Sequence, residues 1–348
     1  MRRTRLAALV GSALVVTALA AATGVLAKST KTAKPAATPF RVGLVTDIGG
    51  LNDRGFNHLS YVGLLRAERQ LGVKGRVLTS SGPNDYVPNL SSLAQAGYNL
   101  IIGVGFLQEQ AIQQVAKQYP NTKFAGVDMN APGDFKGGVT KNFEGLIFRE
   151  QEVGYMVGYL AGLEAKRLGK DTVSSVGGIP VPAVVRYIAG FQAGAKAADP
   201  GIKTLNGYSQ DFVAQDKCKN IALNQIAQGS AVVFQVAGGC GLGVLDAAKQ
   251  KNVWGIGVDA DQSYINSNVL TSAQKKVDVS VYAAIQQLKQ GKFAGGTDLV
   301  FDAANGGVGL GKVNAKVPKS EIAATLAIAK KVASGAIKPP TTCPNKGC

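Results

Sequence analysis

Short apolar runs and amphipathic stretches alternate along most of this chain. The segment RVGLVTD at 41–47 is almost continuously apolar and opens into a glycine pair, the pattern of a strand buried on both faces. Over 56–71, Leu59, Val62, Leu65 and Ala67 recur at helical spacing. Strands are predicted at 77–80, 100–104 and 124–128, with helices over 90–96 and 110–118 between them. Pro120 ends the latter, because proline cannot continue a helix. The second half repeats the pattern. A long helix over 149–168 carries Val153, Met156, Val157 and Leu160 on one face. Strands at 172–176, 203–208, 231–236 and 254–259 alternate with helices over 182–197, 216–228 and 242–251. A strand at 269–272, a helix over 277–288, a short strand near 308–310 and a helix over 319–334 complete the series. Such alternation implies parallel sheets covered on both faces, and the number of βα units implies two sheets. The predicted fold class is therefore α/β with two lobes.

Composition narrows this picture. A chain of 348 residues with 46% hydrophobic residues is long enough for two domains and too apolar to be disordered. One histidine, His58, argues against histidine-based zinc sites and a histidine-dependent triad. Arg2, Arg3 and Arg5 precede an uncharged stretch from Leu6 to Ala27, the layout of a secretory signal peptide. It predicts export to the periplasm or another extracytoplasmic space, with 1–27 removed and 28–39 forming a flexible leader. Left uncleaved, the same stretch is long enough for one membrane-spanning helix. It carries no cysteine at its end, so a lipid anchor is not indicated. The formal charge of +16 is dispersed, with no basic run longer than a pair, which argues against nucleic acid as a partner. Four cysteines suit an oxidising compartment. Cys343 with Cys348 and Cys218 with Cys240 can pair, free thiols being the alternative.

In open parallel sheets, ligands sit beyond the carboxyl ends of the strands. The first strand runs into Asp47-Ile48-Gly49-Gly50-Leu51-Asn52-Asp53-Arg54-Gly55-Phe56-Asn57, which offers carboxylates, amides and a ring. Other strands end in Gly105-Phe106, Asp128, Gly177-Gly178, Gly238-Gly239 and Asp259-Ala260-Asp261. These ends suggest a cleft lined by both lobes, although Asp and Asn also serve simply as helix caps. The loop Gly238-Gly239-Cys240-Gly241-Leu242-Gly243 sits where dinucleotide loops sit, but its glycine spacing misses G-x-G-x-x-G. Phe212 precedes a helix in the second half much as Phe56 opens one in the first. Each ring reads alternatively as core.

These residues carry a resemblance. The run Asp47-x-Gly-Gly-x-Asn-Asp-x-x-Phe56-Asn57 resembles the signature of the basic membrane protein family, substrate-binding lipoproteins of ABC transporters whose best-known members are purine nucleoside receptors. The likeness continues through EVGYMVGYLAG at 152–162, YIAGFQAG at 187–194, FQVAGG at 234–239, GVDADQ at 257–262 and VLTS at 269–272. It implies a type I periplasmic binding protein: two doubly wound parallel-sheet lobes joined by a three-strand hinge. The lobes would be 40–143 with 262–300, and 144–261 with 301–338, followed by a tail at 339–348. The crossings would fall near 139–146, 259–268 and 297–306.

The resemblance further implies an extracytoplasmic binding protein, not an enzyme, with no cofactor and no metal. A small-molecule ligand, a nucleoside and most simply a purine one, would be passed to an ABC permease by a monomeric carrier. Phe56 and Phe212 match the rings that stack on the base, Asp128 the aspartate that reads its edge. Asp47, Asp259, Lys275 and Gly239 match the groups that hold the ribose, and Asn52 and Asn57 complete the candidate set. Gly55 stands where many relatives carry a polar side chain, and Cys240 is an unusual neighbour for a ribose site. The alternatives are a carrier for a sugar or another small metabolite, a sensor presenting its ligand to a receptor, and a dinucleotide-dependent enzyme using the 238–243 loop.

Overall fold

The computed structural model describes residues 39–135, 141–343 and 348. The expected export segment at 1–27 and nearly all of the leader lie outside these residues. Among the described residues, twelve strands form two sheets. The first contains β1 (Arg41–Val45), β2 (Lys74–Leu78), β3 (Leu100–Val104), β4 (Lys123–Val127), β5 (Phe143–Phe148) and β11 (Asp298–Phe301), in the order β2-β1-β3-β4-β5-β11. The second contains β6 (Thr172–Gly177), β7 (Lys203–Tyr208), β8 (Val232–Val236), β9 (Trp254–Asp259), β10 (Val269–Lys275) and β12 (Val308–Leu310), in the equivalent order β7-β6-β8-β9-β10-β12. The β10–β12 pair is antiparallel and the other pairs are parallel.

The central strands are apolar because helices cover them on both faces. Val42, Leu44, Ile101, Ile102 and Val104 are fully buried in the first sheet, and Val232, Phe234 and Ile256 in the second. The helices Glu150–Arg167 and Pro182–Ala198 pack backbone to backbone. A Cβ on Gly158 would collide with the Phe191 backbone, and one on Gly194 with that of Tyr155. The glycines of the EVGYMVGYLAG and YIAGFQAG segments thus serve helix packing rather than a ligand.

The chain passes between sheets three times: Phe148–Glu150, Lys275–Val277 and Phe301–Val308. Backbone bonds join these crossings. Arg149 N–H donates to the Phe301 carbonyl at 3.0 Å, and Lys276 N–H to that of Gly307 at 2.9 Å. The third crossing overlaps its expected position. The other two do not: β5 belongs to the first sheet, and β10 to the second rather than to the first lobe. β5 escapes a periodicity reading because Glu144 interrupts its apolar run. β11 escapes it as a four-residue edge strand without a fully buried residue. Both pairings that the sequence leaves open against free thiols form as disulfides, Cys218–Cys240 and Cys343–Cys348.

Candidate functional site

Each sheet has the order in which a strand's two neighbours connect in opposite directions, and the crevice at that switch point is where α/β folds take ligands. Here the crevices of both sheets open into one cavity. Asp47, beyond β1, and Gly105, beyond β3, face it from the first lobe. Val236, Gly238 and Gly239 at the end of β8, with Asp259 ending β9, face it from the second.

Eight of the nine predicted site residues line this cavity: Asp47, Phe56, Asn57, Asp128, Phe212, Gly239, Asp259 and Lys275. Asn52 does not; it is exposed on the outer side of its loop. Its neighbour Asp53 turns inward instead and is 3% exposed. The Asp53 carboxylate accepts from the backbone N–H groups of Gly55, Asn57 and His58 at 2.7–3.1 Å. It thereby satisfies the open N-terminus of the helix Phe56–Leu71 and fixes the root of Phe56.

Asn57 bridges two acids. Its Nδ2 donates to Asp47 Oδ1 at 2.7 Å and to Asp53 Oδ2 at 3.2 Å. Those acceptors set the amide's orientation and leave its Oδ1 buried with no partner among the described residues. Burial pushes the Asp47 carboxyl up to about 6, against the pull of its bonds from Gly49 N–H and Asn57. Across the cavity, burial pushes Asp259 up to about 7, with Lys275 opposing. The Tyr187 hydroxyl donates to Asp259 Oδ1 at 3.3 Å.

Lys275 ends β10 at the second crossing and is 1% exposed. Its ammonium contacts Asp128 at 2.6–2.7 Å and Glu150 at 2.9 Å. The Arg186 guanidinium meets Glu150 from the other side at 2.6 Å. Burial opposes ionisation of Glu150, but the two cations outweigh it and hold its carboxyl below the usual range. Burial likewise opposes the Lys275 charge, and Asp128 and Glu150 outweigh it, so the ammonium is held charged. Phe56, Phe148 and Tyr187 present ring faces 4.8–5.9 Å from Nζ. Sequence reasoning missed Glu150, Arg186 and Tyr187. Two of these read as ordinary helix surface and the third as helix core.

The second lobe's wall is anchored from behind. Cys240 N–H donates to the Phe212 carbonyl at 3.0 Å, and the Cys218–Cys240 disulfide ties this loop to the helix Gln215–Ala227. The glycine loop and Phe212 are therefore one supported surface.

Residues 40–342 match the family described as ABC transporter substrate-binding protein, PnrA-like. The chain belongs to the Bmp family. Among its relatives, the ABC transporter nucleoside-binding protein BmpA of Lactococcus lactis subsp. cremoris is 35% identical, over 84% of this chain and 86% of its own. The CD4+ T-cell-stimulating antigen of Listeria monocytogenes is 33% identical, over 86% and 88%. A solved ABC transporter solute-binding protein from Aeropyrum pernix superposes with a TM-score of 0.78 at 25% identity, covering 87% of this chain and 94% of that one. Bmp family members and these structural neighbours are solute-binding proteins and not enzymes, which removes the dinucleotide-dependent alternative. As a Bmp protein, the chain is the small-molecule-binding component of an ABC transporter, with a permease as its partner. Among the described residues, no helix is long and apolar enough to cross a membrane.

Proposed function

We propose that this protein captures a nucleoside, in first place a purine nucleoside, outside the cytoplasm and delivers it as a monomer to its permease. The observation that carries the reading is that Phe56 and Phe212, from opposite lobes, border the same cavity as Asp47, Asp128, Asp259 and Lys275. A base is flat on both faces, and each aromatic stack on it contributes about 1–3 kcal/mol. Stacking tolerates any base, so identity must come from the ring edge. Asp128 accepts there while its charge is balanced by Lys275. Vicinal ribose hydroxyls are donors, and Asp47 and Asp259 are acceptors whose bonds from Gly49, Asn57 and Tyr187 fall on Oδ1. Asn57 Oδ1 is one more acceptor, and the Gly239 backbone can approach a hydroxyl because no side chain intervenes. The Lactococcus relative is named as a nucleoside-binding protein, which supports this reading.

Mass spectrometry of small molecules released by denaturing the purified protein tests it. A purine nucleoside is the expected species; a sugar lacking a base, bound in stoichiometric amount, would overturn the proposal.

A further inference from the structure

Outside the cavity lining, a side chain of the second lobe reaches the backbone of the first. Gln262 Nε2 donates to the Arg54 carbonyl at 3.3 Å. Gln262 is 1% exposed and held on every side. Its Oε1 accepts from Gln235 Nε2 at 2.8 Å and from Val258 N–H at 3.2 Å, and its own N–H donates to Ser272 Oγ at 3.0 Å. Two donors facing Oε1 fix the amide's orientation, so the free Nε2 end faces the other lobe. Gly257 gives the amide room, since a Cβ there would lie 2.7 Å from Oε1. On the opposite side, Arg54 has φ 54, a left-handed conformation that a side chain of this size rarely adopts. It is held there between Asp53, which caps the helix, and Gly55, which precedes Phe56.

We propose that Gln262 is a closure latch: a positioning residue that stabilises the closed arrangement of the lobes, and so the retention of ligand, without touching the ligand. This rests on the cleft being the ligand site. Neither Gln262 nor Arg54 lines the cavity. Opening the lobes separates Nε2 from the Arg54 carbonyl and returns both to water, so this bond favours the closed state alone. An interaction made in one of two states shifts the population between them. Its loss leaves each lobe folded, lowers the closed fraction and speeds ligand escape. The contacts of Oε1 lie within the second lobe and persist on opening, which makes the two ends of one amide separable by mutation.

Gln262→Glu keeps the acceptor for Gln235 and Val258 and replaces the donor that faces Arg54 with an oxygen. Gln262→Met removes both functions at similar volume, and carries the test if the buried charge of the first variant prevents folding. Fluorophores at Arg69→Cys and Lys249→Cys, exposed positions on opposite lobes, report closure by single-molecule energy transfer, the native cysteines being disulfide-bonded. The closed-to-open ratio of ligand-free protein should fall about two- to tenfold in both variants, the range of one net hydrogen bond. The dissociation rate of adenosine or guanosine should rise by a similar factor. Arg54→Ala, which keeps the carbonyl, should leave both quantities unchanged. Equal closed fractions in wild type and variants, zero in all included, overturn the latch whatever the ligand. A shift in a protein that binds no nucleoside supports the latch and removes the nucleoside reading instead.

Discussion

Asp128 and Asp259 occupy equivalent places in the two lobes. Each follows a Gly-Val at the end of the fourth strand of its sheet order, each lines the cavity, and each has a left-handed backbone, with φ of 64 and 61. A non-glycine residue held there costs on the order of 1–3 kcal/mol, and such strain collects at ligand clamps. The surroundings then separate the pair. Asp128 is locked onto Lys275, whereas Asp259 receives a Tyr187 hydroxyl and keeps accepting capacity. One fold element thus supplies a charge-balanced acceptor at one wall and an unbalanced one at the other.

Unbalanced acids make binding depend on pH. Asp47 titrates at about 6 and Asp259 at about 7 in the folded protein, burial being the main cause, against an ordinary value of 3.8. Between about pH 4 and pH 7 the folded state therefore holds protons that the unfolded chain has released. These groups make the ligand-free protein more stable as pH falls through that window. Nucleoside affinity should move the opposite way, because ribose hydroxyls donate to ionised carboxylates. It should strengthen from about pH 5 to pH 8, with proton release on binding, and Asp259→Asn should flatten the dependence. Calorimetry in buffers of different ionisation enthalpy counts the protons; affinity independent of pH would contradict these roles.

The same acids should exclude phosphate. Lys275 and Arg186 are already engaged by Asp128 and Glu150, while Asp47, Asp53 and Asp259 remain as acids on the cavity wall. Adenosine should bind at least about tenfold more tightly than adenosine 5′-monophosphate, since like charges face each other in the nucleotide complex. Competition binding measures the ratio, and equal affinities would refute the charge argument.

The two disulfides should contribute unequally to stability. Cys218–Cys240 closes a separation of 22 residues and both its cysteines are fully buried. Cys343–Cys348 closes a separation of 5 near the chain end. By loop-closure entropy, replacing Cys218 and Cys240 together with Ser should cost about 3 kcal/mol. Replacing the terminal pair should cost distinctly less. Urea denaturation of the two double variants checks the order, and the Cys218/Cys240 variant should also bind nucleoside more weakly because Phe212 and Gly239 lose their support.

Much of this arrangement is legible in the sequence, for identifiable reasons. Strands such as LIIGV and WGIGVD are buried on both faces, so their hydropathy alone marks them, and the strand-end rule then points to Asp47, Asp128 and Asp259. Phe56 and Phe212 were legible through the family resemblance as well as through their places before helices. The crossings were not legible, because they depend on which sheet β5 and β10 join, a non-local choice. Within LNDRGFN no periodicity tells which of Asn52 and Asp53 faces inward; the need to cap the helix at Phe56 decides for Asp53. Glu150 reads as a carboxylate suited to a helix start, and only the fold brings Lys275 and Arg186 to it.

The most direct test of the central claim is calorimetric titration of the wild type, Phe56→Ala and Phe212→Ala with purine nucleosides. One-site binding that each truncation weakens by about tenfold or more is the predicted result, the low end of a stacking contribution. Binding left intact by both truncations would contradict the account.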